Sequence, residues 1–186
     1  DTASELIGRY GGTVEKFIGD AVMAVWGVPV AHEDDAERAV RAALDLVSAV
    51  SGITDAGEPL QARAAVLTGE AAATVGATGQ GIVAGDLVNT ASRLQAVAPV
   101  NGIAVSEATY QATERVFEFE ELEPVQVKGK GKRLALFLLT RPGIAPSPQP
   151  RSHSPCIACS TALCAAGASP SRCCWPACSA PAPKPH

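Results

Sequence analysis

Apolar and polar positions alternate through residues 13–26, "TVEKFIGDAVMAVW", in two runs broken by Gly19-Asp20. Period-two runs joined by a Gly-X pair predict the two strands of a tight hairpin. The period then lengthens. In "HEDDAERAVRAALDLVSAV", Ala39, Leu44 and Val47 help form one apolar face and the acidic start complements a helix dipole. This segment is predicted to be an amphipathic helix. Ahead of the hairpin, "TASELIGRY" places Leu6 and Tyr10 at i, i+4 and reads as the end of a helix.

Further on, "LQARAAVLTGEAAATVG" predicts a strand, a Thr-Gly turn and a second strand. "ATGQGIVAG" is a glycine-rich loop with a short extended segment. "DLVNTASRLQAVA" is a helix capped by Asp86 and ended before Pro99. "GIAVSEATYQAT" is a strand leading into a helical turn. "FEFEELEPVQVKGKGKRLALFLL" is a strand, a basic glycine turn and a closing strand. The order hairpin, helix, hairpin, helix, strand, hairpin favours an α+β fold, with helices packed on a largely antiparallel sheet.

Composition divides the chain of 186 residues near residue 141. Ten of the 14 prolines and all 6 cysteines lie beyond that point, with four basic residues and no acid. Residues 1–140 therefore hold 15 − 4 = 11 basic residues against 19 acidic ones, a net of −8. A domain over 1–140 and a disordered tail over 141–186 are expected, because a Pro, Ala, Ser and Cys-rich segment buries too little surface to offset its ordering entropy. Cys156 and Cys159 form a CxxC, but Cys164, Cys173, Cys174 and Cys178 follow irregularly, unlike the paired spacing of a zinc ribbon. They are read as unstructured cysteines. A body without cysteine fits a reducing, cytoplasmic setting. No run of eighteen uncharged apolar residues predicts a membrane span. The chain opens without Met or a signal pattern, as if cut from a longer one.

Four places carry candidate chemistry. Asp20, beside Gly19, is an open carboxylate suited to a hard cation, although Asp is also a common turn residue. Lys16 interrupts an apolar strand; alternation alone gives equal weight to a solvent-facing lysine. Asn89 and Arg93 stand at i, i+4 and share a helix face, offering an amide and a fork of donors for phosphate, or else an exposed polar face. Lys128, in "VKGKGK", and Arg63, in "LQARAAVLTGE", could meet phosphates; such lysines also simply solubilise hairpins.

Each signal is weak alone. Their ordered combination, "GGTVEKFIGDAVMAVWG", "HEDDAERAVRAAL", "TGE", "GDLVNTASRLQ" and "VKGKGK", closely resembles the catalytic domain of class III adenylate/guanylate cyclases of the bacterial type. The resemblance runs from about Tyr10 to Leu139. It implies a ferredoxin-like α+β fold and conversion of ATP to 3′,5′-cyclic AMP and pyrophosphate, with two divalent ions, Mg²⁺ or Mn²⁺, per site. It also implies a head-to-tail homodimer with each site at the interface. By position, Asp20 matches a metal-binding aspartate, Lys16 the lysine that contacts the purine, and Asn89 and Arg93 the pair that stabilises the transition state. Lys128 matches the lysine that reaches the triphosphate, and Arg63 resembles a phosphate-contacting arginine. One domain would supply Asp20 and Lys16; its partner would supply Asn89, Arg93 and Lys128. The partners implied are ATP and a second cyclase domain, with no nucleic acid.

Two departures from the family pattern qualify the resemblance. Family members carry a further metal aspartate on a first strand, in a motif like F-x-D-x-x-G-F-T, and this sequence starts after that point. A fold lacking its first strand is therefore expected, and essentially no activity from this chain alone. The usual Asp or Thr partner of the purine lysine is here Ile82, which neither donates nor accepts. Lys16 by itself still favours adenine, whose N1 accepts where that of guanine donates. Other readings fit less well. "GQGIVAG" is not G-x-G-x-x-G, and G-x-x-x-x-G-K-[ST] is absent. An inactive cyclase-like regulatory or dimerisation module is the alternative to an enzyme.

Overall fold

Strands β1 (Thr13–Ile18) and β2 (Ala21–Trp26) form the predicted hairpin, with Ile18 opposite Ala21. Gly19, at φ +60°, makes the turn in a region that disfavours a side chain. A computed structural model gives this arrangement and describes residues 2–55, 57–73, 83–84, 86–126, 133–141 and 158–166. Helix α1 (Thr2–Arg9) precedes the hairpin and buries Leu6 and Ile7. Helix α2 (Asp35–Ser51) follows it. Its first turn carries Asp35 and Glu37, and Glu37 accepts from Arg41 at 2.9 Å, one turn on. Ala39, Val40, Ala42, Ala43, Leu46 and Val47 are buried along one stripe, with Leu44 packed at its margin.

Residues around Tyr10 tie the hairpin base to α2. The Trp26 indole donates to the Tyr10 carbonyl at 3.0 Å, and Arg38 donates to the same oxygen at 3.2 Å. The Tyr10 hydroxyl donates to Asp45 at 2.8 Å. Gly12 lets the chain pass the indole; a Cβ there would meet the Trp26 ring at 2.5 Å.

Beyond α2 come the short pair β3 (Thr54–Asp55) and β4 (Glu58–Pro59), then β5 (Gln61–Gly69). Next are β6 (Ala72–Ala73), β7 (Val83–Ala84), α3 (Asp86–Val97), β8 (Ile103–Ser106) and α4 (Glu107–Thr113). The chain continues through β9 (Glu118–Gln126), β10 (Arg133–Arg141) and β11 (Ala158–Ala166). Seven strands form one sheet in the order β1-β2-β11-β5-β8-β10-β9. β5 and β8 are parallel, with Ala64 opposite Ile103; the other neighbouring pairs are antiparallel.

Both faces of this sheet are covered. Val22, Ala24, Trp26, Ala62, Ala64 and Val66 pack with α1 and α2 on one side. On the other, Ala65 and Leu67 pack with Ala91 and Leu94 of α3, and Met23 and Val25 with Val88. Alternate residues of β2 and β5 thus face different helix layers, which is why both read as nearly unbroken apolar runs.

One expectation needs correction. The strand after Thr68-Gly69 does not fold back on β5; β6 pairs instead with β7, from the glycine-rich segment. The sheet is largely antiparallel as expected, with one parallel pair at β5–β8, because α3 carries the chain across before β8 returns alongside β5. In the C-terminal segment, residues 158–166 form a strand that pairs with β2 and β5. The remaining tail, with Cys156, Cys173, Cys174 and Cys178, lies outside the described residues.

Candidate active site

Asp20 is exposed at the hairpin tip, where a Cβ on the neighbouring Gly19 would meet nothing within 4 Å. The carboxylate therefore stands in open space. Phe17, 55% exposed, flanks it. Lys16 is half-buried and lies opposite Met23. The β1–β2 register slips between Val14 and Lys16, so Glu15 falls in a bulge, buried at 2% exposure. A bulge of this kind re-aims the residues beside it. Alternation could not reveal it, since an acid between Val14 and Lys16 reads as an ordinary solvent-facing position.

Asn89 and Arg93 are both exposed on α3, one turn apart, while Ala91 and Leu94 between and beyond them are buried. The predicted shared face is present. Thr90, also buried, anchors the same turn.

Arg63 is half-buried in β5, and its Nη1 donates to the carbonyl of Ala96 at 3.3 Å. It thus meets the last turn of α3, where carbonyls lack helix partners. Ile82 and Lys128 lie outside the described residues.

Register fixes where these groups stand relative to one another. Ala21, next to Asp20, is level with Cys164 and, through it, with Arg63. Trp26 is level with Cys159 and Thr68. Helix α3 runs against β5: Leu87 is the nearest neighbour of Gly69, and Ala96 is reached by Arg63. The hairpin tip and the start of α3 therefore occupy opposite ends of the sheet. Six residues of β5 separate those ends, about 20 Å. Asn89 sits two residues, about 3 Å of helix rise, from Leu87. Asp20 and Asn89 of one chain are thus far too distant to touch one substrate atom.

The family model for the adenylate and guanylate cyclase catalytic domain matches residues 3–140. The chain belongs to that family. Among relatives, it is 36% identical over 129 residues to human guanylate cyclase soluble subunit beta-2, covering 66% of this chain and 21% of that one. It is 31% identical over 156 residues to an adenylate cyclase of Mycobacterium tuberculosis, covering 80% of this chain and 35% of the relative. The chain thus spans about a fifth and about a third of the length of these two relatives. Among solved structures, the catalytic core of a rhodopsin-guanylyl cyclase with converted specificity, in complex with ATPalphaS, aligns with TM-score 0.68 and 32% identity. That alignment covers 76% of this chain and 77% of that one. The adenylyl cyclase CyaB from P. aeruginosa aligns with TM-score 0.64 and 27% identity, covering 75% and 77%. Both adenylate and guanylate cyclases are therefore among the relatives of this cyclase domain.

The residues present suit a divalent ion in one respect. A single open carboxylate, completed by substrate phosphates and water, is a frequent Mg²⁺ environment. Among the described residues no cluster of three or more His, Cys, Asp or Glu forms a metal cage. Strand β11 has no Asp or Glu at any position. Asp20 would hold the ion together with the nucleotide. Among the described residues no helix is long and apolar enough to cross a membrane.

Proposed function

We propose that this cyclase domain converts ATP to 3′,5′-cyclic AMP and pyrophosphate in a site formed between two copies arranged head to tail. The observation that carries the reading is the separation of Asp20, at the hairpin tip, from Asn89, in the first turn of α3 toward the other end of the sheet. An antiparallel pair brings one copy's hairpin tip to the other copy's α3, and twofold symmetry makes two such sites. Phe17, exposed beside Lys16, is the apolar group that this pairing would cover.

In that site Lys16 donates to N1 of adenine, an acceptor; the same nitrogen of guanine carries a proton. Asn89 and Arg93 of the other copy orient the ribose and meet the charge that develops on the α-phosphoryl group. Arginine's rigid fork of donors suits that oxygen pair. The ribose 3′-oxygen forms its bond to the α-phosphorus as the bond to pyrophosphate breaks; the hydroxyl proton leaves to solvent. Asp20 would hold a divalent ion, which would supply charge neutralisation at the phosphates and make the attacking hydroxyl more acidic. The protein's part is positioning and electrostatics. The 186-residue chain by itself is expected to show no more than trace turnover.

The test incubates the purified chain with ATP or GTP and Mg²⁺ or Mn²⁺, and identifies the cyclic product by mass spectrometry. Cyclic AMP formed faster than cyclic GMP, with a rate per chain that rises with protein concentration, is the expected result. Cyclic GMP as the main product overturns the ATP assignment. A rate per chain independent of concentration, with the protein monomeric throughout, overturns the two-copy site.

A further inference from the structure

We propose that Arg63 and Asn101 are positioning residues: they clamp the C-terminal end of α3 to the start of β5 and so set where Asn89 and Arg93 stand. The consequence for catalysis rests on the two-copy reading above; the clamp rests on the fold alone. Arg63 is half-buried on β5. Alternation along that strand puts it on the same face as Ala65 and Leu67, which pack against Ala91 and Leu94 of α3. Its Nη1 donates to the Ala96 carbonyl at 3.3 Å. Ala96 lies in the last turn of α3, and that turn holds no basic residue of its own. Carbonyls there lack helix partners and carry the negative end of the helix dipole. β5 thus supplies the cation that the end of α3 lacks.

Asn101 holds the chain just after the helix. It has φ +56°, a left-handed conformation that Asn tolerates better than most residues. In that conformation it grips Ala62 twice. Its N–H donates to the Ala62 carbonyl at 2.7 Å, and its Oδ1 accepts from the Ala62 N–H at 3.0 Å. The Gly102 carbonyl accepts from the Ala64 N–H at 3.1 Å. The turn itself is closed by the Gly102 N–H, which donates to the Pro99 carbonyl at 2.9 Å. Four hydrogen bonds therefore join residues 62–64 to residues 96–102.

The other end of α3 meets β5 differently. Leu87 lies 3.1 Å from where a Cβ on Gly69 would stand, and it packs with Ala65 and Leu67. Apolar contact is non-directional and lets a helix slide along a sheet. Hydrogen bonds fix distance and angle. The clamp therefore decides the axial position of α3. Ala96 stands three residues beyond Arg93, about 4.5 Å of helix rise, and seven beyond Asn89, about 10 Å. A rigid helix carries a displacement at the clamp to both side chains. Misplacing a contact to reacting atoms by about 1 Å costs on the order of a hundredfold in rate.

Arg63 in this role acts through the helix, unlike a group that touches phosphate. Removing it lowers kcat and leaves the affinity for the triphosphate in place, whereas loss of a phosphate contact made in the ground state raises KM. Asn101 has no charge to offer a phosphate. An effect shared by the two residues therefore separates positioning from direct contact.

The test compares Arg63→Ala, Arg63→Lys and Asn101→Gly in the full 186-residue chain. Asn101→Gly keeps the left-handed backbone and removes the side-chain acceptor. Hydrogen exchange with mass spectrometry, without nucleotide, reads the clamp. Amides of 94–98 should exchange about tenfold faster in Arg63→Ala and in Asn101→Gly, while those of 21–26 keep their rates. Arg63→Lys retains a donor for the Ala96 carbonyl and should stay within about threefold of the unmodified chain. Unchanged exchange at 94–98 in Arg63→Ala overturns the clamp. Equal acceleration throughout the chain overturns it too, since that is a loss of global stability. Sensitive detection of the trace cyclic product from ATP and Mg²⁺ reads the consequence. In Arg63→Ala and Asn101→Gly, kcat should fall about tenfold with KM changed less than about twofold. A raised KM with kcat kept assigns Arg63 to phosphate and overturns the positioning role. If the unmodified chain forms no cyclic product at all, the nucleotide reading fails, and exchange at 94–98 still decides the clamp.

Discussion

At the end of the sheet where β1 turns into β2, an exposed carboxylate stands beside an exposed Phe17 and a half-buried Lys16. At the other end, α3 begins above Gly69 and soon presents Asn89 and Arg93 to solvent. On the reading proposed above, the first end would offer an anion for metal and a donor for a base, and the second donors for phosphate and ribose. Register keeps Asp20 and Asn89 on the order of 15 Å apart along the strands. The difference is what favours a site shared between two copies, with each single chain as the scaffold of one pair of surfaces.

Removing the proposed metal-binding group is the strongest way to break this comparison. Asp20→Asn keeps the size of the side chain and abolishes its charge. Turnover is expected to fall at least about a hundredfold relative to the unmodified chain, typical of a group acting chiefly in the transition state. Near-normal cyclic nucleotide production would leave Asp20 as an ordinary turn residue.

Mixing variants sharpens the same point. Asp20→Asn and Arg93→Ala each damage a different surface. In a mixed pair one of the two interface sites keeps both its surfaces intact. With random pairing, an equal mixture should recover about a quarter of unmodified activity. Assays of the separate and mixed proteins decide it: a mixture no better than its components shows that both residues act within one copy.

The base-reading residue carries a smaller effect. Lys16→Glu replaces a donor with an acceptor. ATP use should weaken about tenfold, in the range of one lost charged hydrogen bond, while GTP use rises relative to it. Steady-state kinetics with both nucleotides measure the ratio. An unchanged ratio would make Lys16 a solvent-facing strand residue after all.

Much of the frame was legible because local signals agreed with tertiary demands. Ala39 and Val47 were placed on the inner face of α2 by spacing and are buried there. Gly19-Asp20 was placed at a turn by residue type and turns there. The shared face of Asn89 and Arg93 followed from helical period. What escaped was non-local. The Glu15 bulge depends on how β1 meets β2. The β6–β7 pairing joins segments ten residues apart, which a Thr-Gly pair cannot announce. The β11 strand was hidden by the prolines and cysteines around it; its pairing with β2 and β5 joins segments about a hundred or more residues apart in sequence. Of the candidate site, residue type could name Arg63 as a phosphate candidate but could not show its neighbour at the end of α3, the Ala96 carbonyl.

The smallest effect serves as a control, because it lies in neither surface. The Tyr10 hydroxyl donates to Asp45 of α2, and that hydrogen bond raises its pKa above the ordinary tyrosine value, with burial and the Asp45 charge acting in the same direction. The neutral phenol is therefore favoured in the folded chain. Between the unfolded value near 10 and the higher folded one, the unfolded state binds fewer protons, so stability falls as pH rises. The contribution is complete below about pH 10 and is lost as pH climbs through the folded pKa. Tyr10→Phe should cost about 1–2 kcal/mol near neutrality, a drop of several degrees in Tm. Its Tm should also decline less steeply above pH 10 than that of the unmodified chain. Cyclase activity at neutral pH and moderate temperature should change less than about twofold, because Trp26 and Arg38 still hold the Tyr10 carbonyl and the hairpin base stays in place. Scanning calorimetry across pH 7–11 provides the check. A Tyr10→Phe protein with unaltered stability but much-reduced turnover would place this network inside the site's machinery, and would undo the separation between scaffold and surfaces.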